Sequence, residues 1–333
     1  MTSTLKPLDL GGVTIEDPVI LAPMCGVTDL PYRRLVKKYG AGLVVSEMIA
    51  SQAMIRANRK TMRMASNCAE EYPMAVQLAG CEAGAMAEAA RLNIDRGAAI
   101  IDINMGCPVK KVVNGYSGSA LMRDLPLATK LIEATVKAAP APVTLKMRTG
   151  WDDDSRNAPE LARIAEKSGV RMITVHGRTR CQMYKGRADW DFVGEVKDAV
   201  GLPVIVNGDI TTPREARESM GRSGADGVMI GRGVYGRPWL LKQIIHYLKH
   251  GTELADPTIE LQMMTLLEHF EDVIEHYGPV VGVRTARKHI GWYSKGLPES
   301  AEFRGRVFHL NDPNEVKDAI RRFYEPLAER AAA

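Results

Sequence analysis

Short apolar runs rich in β-branched residues recur through the first two-thirds of the chain. They are PVILAPM (18–24), LVVSEMI (43–49), MAVQLAG (74–80), AIIDINMG (99–106), VTLKMRT (143–149), MITVHGR (172–178), PVIVNGD (203–209) and GVMIGRG (227–233). Each leads into polar or glycine-rich residues and then a helical stretch, the alternation that builds parallel βα units. Their spacing is about 30 residues, one βα repeat. Asp29 and Pro31 open one intervening helix that Gly40 closes, and Thr212, Pro213 and Glu215 spell a capping box with proline at its first position. A doubly wound open sheet uses the same units, but eight nearly continuous apolar strands favour a closed (β/α)8 TIM barrel. After Gly236 no strand-like run follows, and LQMMTLLEHFEDVIEHY (261–277) reads as one amphipathic helix. The pattern predicts a barrel over residues 1–246 and a small C-terminal all-helical domain over 258–328. Between them LKHGTELADPT, with Gly251 and Pro257, reads as a linker, the boundary falling near 246–257.

A chain of 333 residues accommodates a barrel of roughly 250 residues plus a smaller unit. Apolar residues make up 45% and charged residues 25%, and phenylalanines number only five, so the core is aliphatic. No run approaches the roughly 18 apolar residues of a membrane span, and MTSTLKPLDL lacks the layout of an export signal, so the expectation is a cytoplasmic protein without a membrane partner. Cys25, Cys68, Cys81, Cys107 and Cys181 show no metal-ligand spacing and read as free thiols, so no metal is expected. A net charge of +4 is too weak by itself to indicate a polyanionic partner.

Barrel enzymes carry their sites at the C-terminal ends of the strands. Here those ends deliver Met24 and Cys25, then Glu47, Gln77, Asn104 with Cys107, Lys146 with Arg148, His176 with Arg178, Asn207 with Asp209, and Arg232. Strand ends exit into solvent and are polar anyway, which accounts for any one of these residues as well as function does. It accounts less well for Gln77 and Lys146, which interrupt apolar strands where an unpaired polar group is costly.

The last two strands leave through NGD (207–209) and GRG (231–233), where barrels commonly build a phosphate site. Gly231, Gly233 and Gly236 satisfy GxGxxG, but the following sequence is helical rather than a strand ending in an acid, which argues against a dinucleotide fingerprint. A phosphate site with Gln77 and Lys146 suits a flavin mononucleotide across the mouth, with Lys146 near the pyrimidine edge of the ring. A phosphorylated sugar in an aldolase or isomerase would need the same phosphate end.

The stretch DINMGCPVKKVVNGYSGSALMRD (102–124) predicts a long loop after the fourth strand, with Gly106, Gly115 and Gly118 as points of movement. Pro108 biases Cys107 toward an extended backbone. A lone cysteine is more often a small buried hydrophobe than a catalyst; a position on a loop at the catalytic face shifts that balance. A thiol is mostly protonated at neutral pH and can serve beside a flavin as a general acid. Covalent thiol chemistry, with His176 as the base, is the rival.

LAPMCGVTDLPYRRL, VQLAG, DINMGCPVKKV, LKMRTGWD, VHGRTR, VNGDI and GVMIGRG together resemble the tRNA-dihydrouridine synthases, most closely the bacterial B type, from about residue 10 to beyond 240. Cys25 departs from the alanine common at its position. The resemblance implies an enzyme that reduces uridine in tRNA to dihydrouridine, with FMN as cofactor and NADPH as reductant. It implies that Pro23, Met24 and Cys25 line the flavin, that Gln77 and Lys146 contact its ring, and that Asn207, Gly208, Asp209, Gly231 and Arg232 hold its phosphate. Cys107 would give a proton to uracil C5 while hydride reaches C6, with Asn104, His176 and Arg178 as uracil contacts, His176 also bordering the flavin. The B type suggests position 17 in the D-loop.

In the helical tail, VGVRTARKHIGWYSK (281–295) is basic with no acid, and positions 284, 287, 288, 291 and 295 share one helix face. Arg284, Arg287 and Lys288 form a stripe suited to tRNA phosphates, with Trp292 and Tyr293 beside it for stacking, and Lys185 and Arg187 could extend it over the barrel mouth. A solvated helix face is the equal alternative. Other readings are a reductase of free pyrimidines or enones, a barrel that binds RNA without turnover, and a phosphosugar enzyme using Lys146 as a Schiff base. A monomer is the default.

Overall fold

The structure, a computed structural model, describes residues 5–56 and 59–332. Its strands are β1 (Leu8–Asp9), β2 (Thr14–Ile15), β3 (Val19–Leu21), β4 (Leu43–Val45), β5 (Ile49–Ala50), β6 (Met74–Ala79), β7 (Ile100–Met105), β8 (Val143–Arg148), β9 (Met172–His176), β10 (Val204–Asn207) and β11 (Gly227–Ile230). Each of the eight apolar runs contains a strand. All eight pair in parallel in the order β4-β3-β11-β10-β9-β8-β7-β6, and pairing of β4 with β6 closes the barrel. The short β5 resumes alongside β6 after Ser46 and Glu47 interrupt the second run.

The run-and-alternation pattern does not reveal β1 and β2, each only two residues long. They form an antiparallel hairpin turning at Gly11 and Gly12, both at positive φ. Leu10, Val13 and Ile15 pack in one cluster with Leu43, Ile100 and Ile205, residues at or near the N-terminal starts of barrel strands, so the hairpin plugs the bottom of the barrel. Helix starts follow their caps: Asp29 accepts from the Tyr32 amide at 3.1 Å, and Thr212 and Glu215 form the reciprocal box before Pro213–Ser223.

The chain divides into two compact units, one of Met1–Gly233 with Leu241–Glu253, the other of Val234–Leu240 with Leu254–Ala333. The division after Glu253 falls within the expected 246–257, and the structure adds two details. Leu240–His250 is a helix, so the expected linker begins with a helical turn and only the stretch after His250 is irregular. Val234–Leu240, assigned to the barrel by pattern, groups with the helical unit because its aromatics pack there: Tyr235 stacks on Trp292 at 4.0 Å between centroids, and Trp239 lies 6.4 Å from Tyr293. Gly236, at φ +71, permits this approach, since a Cβ there would lie 2.3 Å from the Trp292 carbonyl oxygen.

The second unit consists of that segment and the helices Ile259–Tyr277, Pro279–Tyr293, Ser300–Val307 and Pro313–Ala332 around a core that includes Leu266, Phe270, Val273, Ile290 and Tyr324. His269 and His289 are buried within it, edge to face at 4.7 Å. Burial drives His269 down to about 3 and His289 well below its ordinary value, with Lys288 adding to both. Among the described residues no helix is long and apolar enough to cross a membrane.

Candidate active site at the barrel mouth

Strand register sets the site. Gln77 on β6 lies beside Asp102 on β7, Asn104 beside Lys146 on β8, and Arg148 and Asn207 both neighbour His176 on β9. The polar residues that interrupt apolar strands therefore meet at the C-terminal ends, inside the first unit.

The Gln77 amide donates to Asp102 Oδ2 at 2.7 Å and accepts from Asn104 Nδ2 at 2.7 Å, while Thr144 donates to Asp102 Oδ1 at 2.6 Å. Burial raises the Asp102 carboxyl despite the hydrogen bonds from Thr144 and Gln77. Asp102 thus fixes which way the Gln77 amide faces, and Gln77 in turn orients Asn104. Asn104 Oδ1 accepts the backbone N–H of Gly106 at 3.2 Å and of Cys107 at 2.9 Å.

From Cys107 the chain does not run as an open loop. It forms a short helix, Lys110–Val113, and a 3-10 helix, Gly118–Arg123. Ser119 returns to Cys107, donating both its amide (3.1 Å) and its hydroxyl (2.9 Å) to the Cys107 carbonyl. Gly118, at φ +61, allows this approach, since a Cβ there would sit 2.8 Å from the same carbonyl oxygen. The Cys107 backbone is thereby held at both N–H and C=O, and among the described residues its thiol has no hydrogen-bond partner.

Lys146 is buried, with its ammonium 3.0 Å from Asn207 Oδ1. Asn207 is held in turn by donation to the Met229 carbonyl at 2.8 Å. Burial, reinforced by Arg148, lowers Lys146 to about 8. An ammonium has three N–H donors, and among the described residues only one is engaged.

Arg148 and Arg178 organise the loops. Arg148 donates to the carbonyls of Gly106, Thr179 and Met183, each at 2.8 Å. Arg178 donates to the carbonyls of Lys185 (3.0 Å) and Gly186 (2.7 Å) and to Asp209 Oδ2 (2.6 Å), and its Nη1 lies 3.3 Å from His176 Nε2. A guanidinium only donates, so Nε2 accepts and the His176 proton sits on Nδ1. Burial first, then Lys146, Arg148 and Arg178, hold His176 well below its ordinary value, so the ring is neutral. An imidazole whose lone pair is occupied and whose surroundings are cationic is a poor base, which weakens the covalent reading of Cys107.

Pro23 and Met24 follow β3, where Thr28 Oγ1 accepts the Met24 amide at 2.9 Å, and Glu47 accepts the Gly26 amide, bracing the exposed Cys25 turn. Gly208 is required where it stands: at φ +115, a Cβ would meet His176 Cδ2 at 2.7 Å and the Ala188 Cβ at 2.8 Å. Asp209 takes the Ala188 amide at 2.8 Å as well as Arg178 and lies 3.7 Å from Arg232. Burial alone would raise its carboxyl, but the hydrogen bonds from Arg178 and the Ala188 amide, with the charges of Arg178 and Arg232, together outweigh that and hold it low. Gly231 is open, nothing lying nearer than 3.8 Å to a Cβ built there.

Sequence reasoning missed Tyr184. Its ring is exposed and lies 5.2 Å from the Arg232 guanidinium, 5.5 Å from that of Arg148 and 6.4 Å from the His176 ring. It sits in an aperiodic loop, and the one available signal is an aromatic beside Lys185 and Arg187.

The helical-unit residues separate. Arg284 is exposed, Arg287 donates to the Leu310 carbonyl (3.1 Å) and Asn311 Oδ1 (3.0 Å), and Lys288 is half-buried. Tyr293 is buried and Trp292 is stacked on Tyr235, so the expected pair of free stacking aromatics is not present on this helix. No cluster of metal-ligating side chains occurs among the described residues.

Residues 20–330 match the family described as dihydrouridine synthase (Dus). A protein of Rickettsia bellii named probable tRNA-dihydrouridine synthase is 59% identical over 97% of this chain and 99% of its own. A protein of Xanthomonas campestris named tRNA-dihydrouridine synthase B is 47% identical over 96% of each chain. In fold, the chain resembles an old yellow enzyme homologue of Zymomonas mobilis, with a TM-score of 0.52 and 12% identity over 78% of this chain and 96% of the other. A likeness to the structure described as TcOYE with pHBA reaches a TM-score of 0.56 at 13% identity, over 79% of this chain and 96% of that one.

Proposed function

The chain belongs to the dihydrouridine synthase family, and on that premise we propose that it reduces the C5–C6 double bond of uridine in tRNA to 5,6-dihydrouridine, using FMN and NADPH. The observation that carries this reading is the Lys146 ammonium, buried at the barrel mouth with one neutral partner and two donors to spare, beside a cysteine fixed by its backbone with its thiol free. That donor set fits the electron-rich pyrimidine edge of a flavin, and the open Gly231 with Arg232 fits its phosphate.

In this reading Lys146 and Gln77 hold the ring, Pro23, Met24 and Cys25 border it, and Asn207, Gly208, Asp209, Gly231 and Arg232 form the phosphate end. Asp209 acts there through its backbone and by orienting Arg178 and Arg232, since a carboxylate would repel phosphate. Bound flavin would supply hydride to uracil C6. Cys107 gives its proton to C5, acting as a general acid. Neutral His176 presents its Nδ1–H to the base as a hydrogen-bond donor. Asn104 and Arg178, largely consumed by internal hydrogen bonds, shape the pocket around uracil. Arg284, Arg287 and Lys288 meet the tRNA backbone. The target is position 17 of the D-loop, and the enzyme works as a cytoplasmic monomer.

The test is the visible spectrum of purified protein, followed through addition of NADPH and then of tRNA lacking dihydrouridine, with Cys107→Ala in parallel. A flavin spectrum bleached by NADPH and restored anaerobically by tRNA only in the wild type is expected. Flavin reduced but never reoxidised by tRNA would redirect the substrate to small enones, and a colourless protein releasing no flavin on denaturation would point to the phosphosugar reading.

A further inference from the structure

The loops after β7 and β8 also line an open cavity of about 530 Å³, bordered by Met122, Arg123, Pro126, Trp151, Asp152 and Asn157 among others. The Arg123 guanidinium lies 4.6 Å from the Trp151 ring centroid, and that of Arg180, from the loop after β9, lies 4.7 Å from the same centroid. Both cations therefore crowd one indole, yet among the described residues neither has an ion-pair or side-chain hydrogen-bond partner, and Arg180 Nε is buried with none. Arg148 and Arg178, on the same face, are each engaged by backbone carbonyls, Arg178 by a carboxylate as well. Two guanidiniums held against one indole, with no carboxylate on either among the described residues, suit an anion at this cavity.

The cavity also carries unmet acceptors. Asn157 donates to the Met122 carbonyl at 2.8 Å, which leaves its Oδ1 buried with no donor. Asp152 Oδ1 receives the Ser155 hydroxyl at 2.6 Å, and no other donor reaches its carboxylate among the described residues. Inorganic phosphate would satisfy the arginines and leave Asn157 and Asp152 facing another acceptor. A nucleotide supplies both an anionic phosphate and base N–H groups.

We propose that this cavity is a second nucleotide subsite, which takes an unpaired nucleotide of the same RNA whose uridine enters the barrel mouth; the proposal rests on the reading above. The 3-10 helix Gly118–Arg123 links the two places, since Ser119 holds the Cys107 carbonyl at its start and Arg123 faces the cavity at its end. Occupancy would therefore steady the proton donor as well as anchor the RNA.

The experiment uses the flavin-loaded protein and a fluorescently labelled, unmodified tRNA transcript. Binding is measured across a NaCl series for wild type, Trp151→Ala and the double variant Arg123→Ala with Arg180→Ala, alongside the NADPH dependence of flavin reduction. In the double variant we expect affinity to fall roughly tenfold and the log–log salt slope to drop by about 1, with flavin reduction unchanged. Wild-type affinity and slope in a flavin-loaded variant would overturn the proposal. So would a raised NADPH requirement with unaltered tRNA binding, which would give the cavity to the reductant. Should the double variant lose flavin, Arg123→Gln, at an exposed side chain, is read by the same two criteria. A wild type that neither binds nor reduces tRNA would instead sink the functional reading itself.

Discussion

Lys146 shows how a single side chain can cost stability and serve a site. Its ammonium is held to about 8 by burial, against about 10.4 for the free group, so charging it disfavours the fold. The sign follows from that depression. Above about pH 10.4 the group is neutral in both states. As pH falls toward 8 the unfolded chain takes up the proton first, and stability is lost until both forms are charged. At neutral pH the full cost is present, about 1.4 kcal/mol for each pH unit of depression. Lys146→Met should therefore raise the unfolding temperature of flavin-free protein at pH 7, by up to about 3 kcal/mol in stability. Flavin affinity, measured by fluorescence on titration of FMN, should fall. A variant less stable than wild type would mean that the hydrogen bond to Asn207 outweighs the desolvation. At this scale much of the mouth was legible: Gln77, Asn104 and Lys146 stand out as polar residues in apolar strands. That the Arg178 guanidinium is spent on carbonyls and Asp209 was not legible, because residue type does not say which partner a long side chain finds.

Between residues and domains, the unit that matters is the segment from β7 to the end of the 3-10 helix. It appeared from sequence as a mobile loop, yet Asn104 pins its beginning and Ser119 folds it back on Cys107. Asn104→Ala should leave flavin bound and lower kcat for tRNA by ten- to a hundredfold with a smaller effect on KM, as expected when a reacting group loses its position rather than its chemistry. Single-turnover reoxidation of reduced flavin by tRNA reads this directly, and an unaltered rate would show that the Ser119 tether suffices. The eight barrel strands were legible because parallel strands buried on both faces read as continuous apolar runs. The bottom hairpin leaves no such trace, because two-residue strands carry no periodicity. The division after Glu253 lies within the stretch expected from sequence, whereas the excursion of Val234–Leu240 was not legible, because a seven-residue segment carries no sign of which unit its aromatics pack in.

Across the whole molecule, acid sensitivity should come from the buried histidines, His176 at the barrel mouth and the His269–His289 pair in the helical unit. His269 and His289 are neutral in the folded state, and unfolding frees each to take up a proton below about pH 6.5. Stability is therefore intact above that pH and declines as pH falls toward 3, by up to about 1.4 kcal/mol per pH unit for each histidine. Thermal unfolding followed from pH 7 to pH 5 should show the decline. His269→Gln, less stable at pH 7, should flatten it, and an equal slope in the variant would place the sensitivity elsewhere.

The excursion of Val234–Leu240 into the second unit, and the return of Leu241–Glu253 to the first, means that the backbone passes between the units three times. A gene fragment ending after Glu253 would carry Tyr235 and Trp239 without the aromatics they pack against, and one starting at residue 254 would lack them altogether. The two units are interleaved in the reading frame, so no single stop codon divides them. Evolution can exchange the helical unit for another only by conserving or replacing that seven-residue insert in the same event.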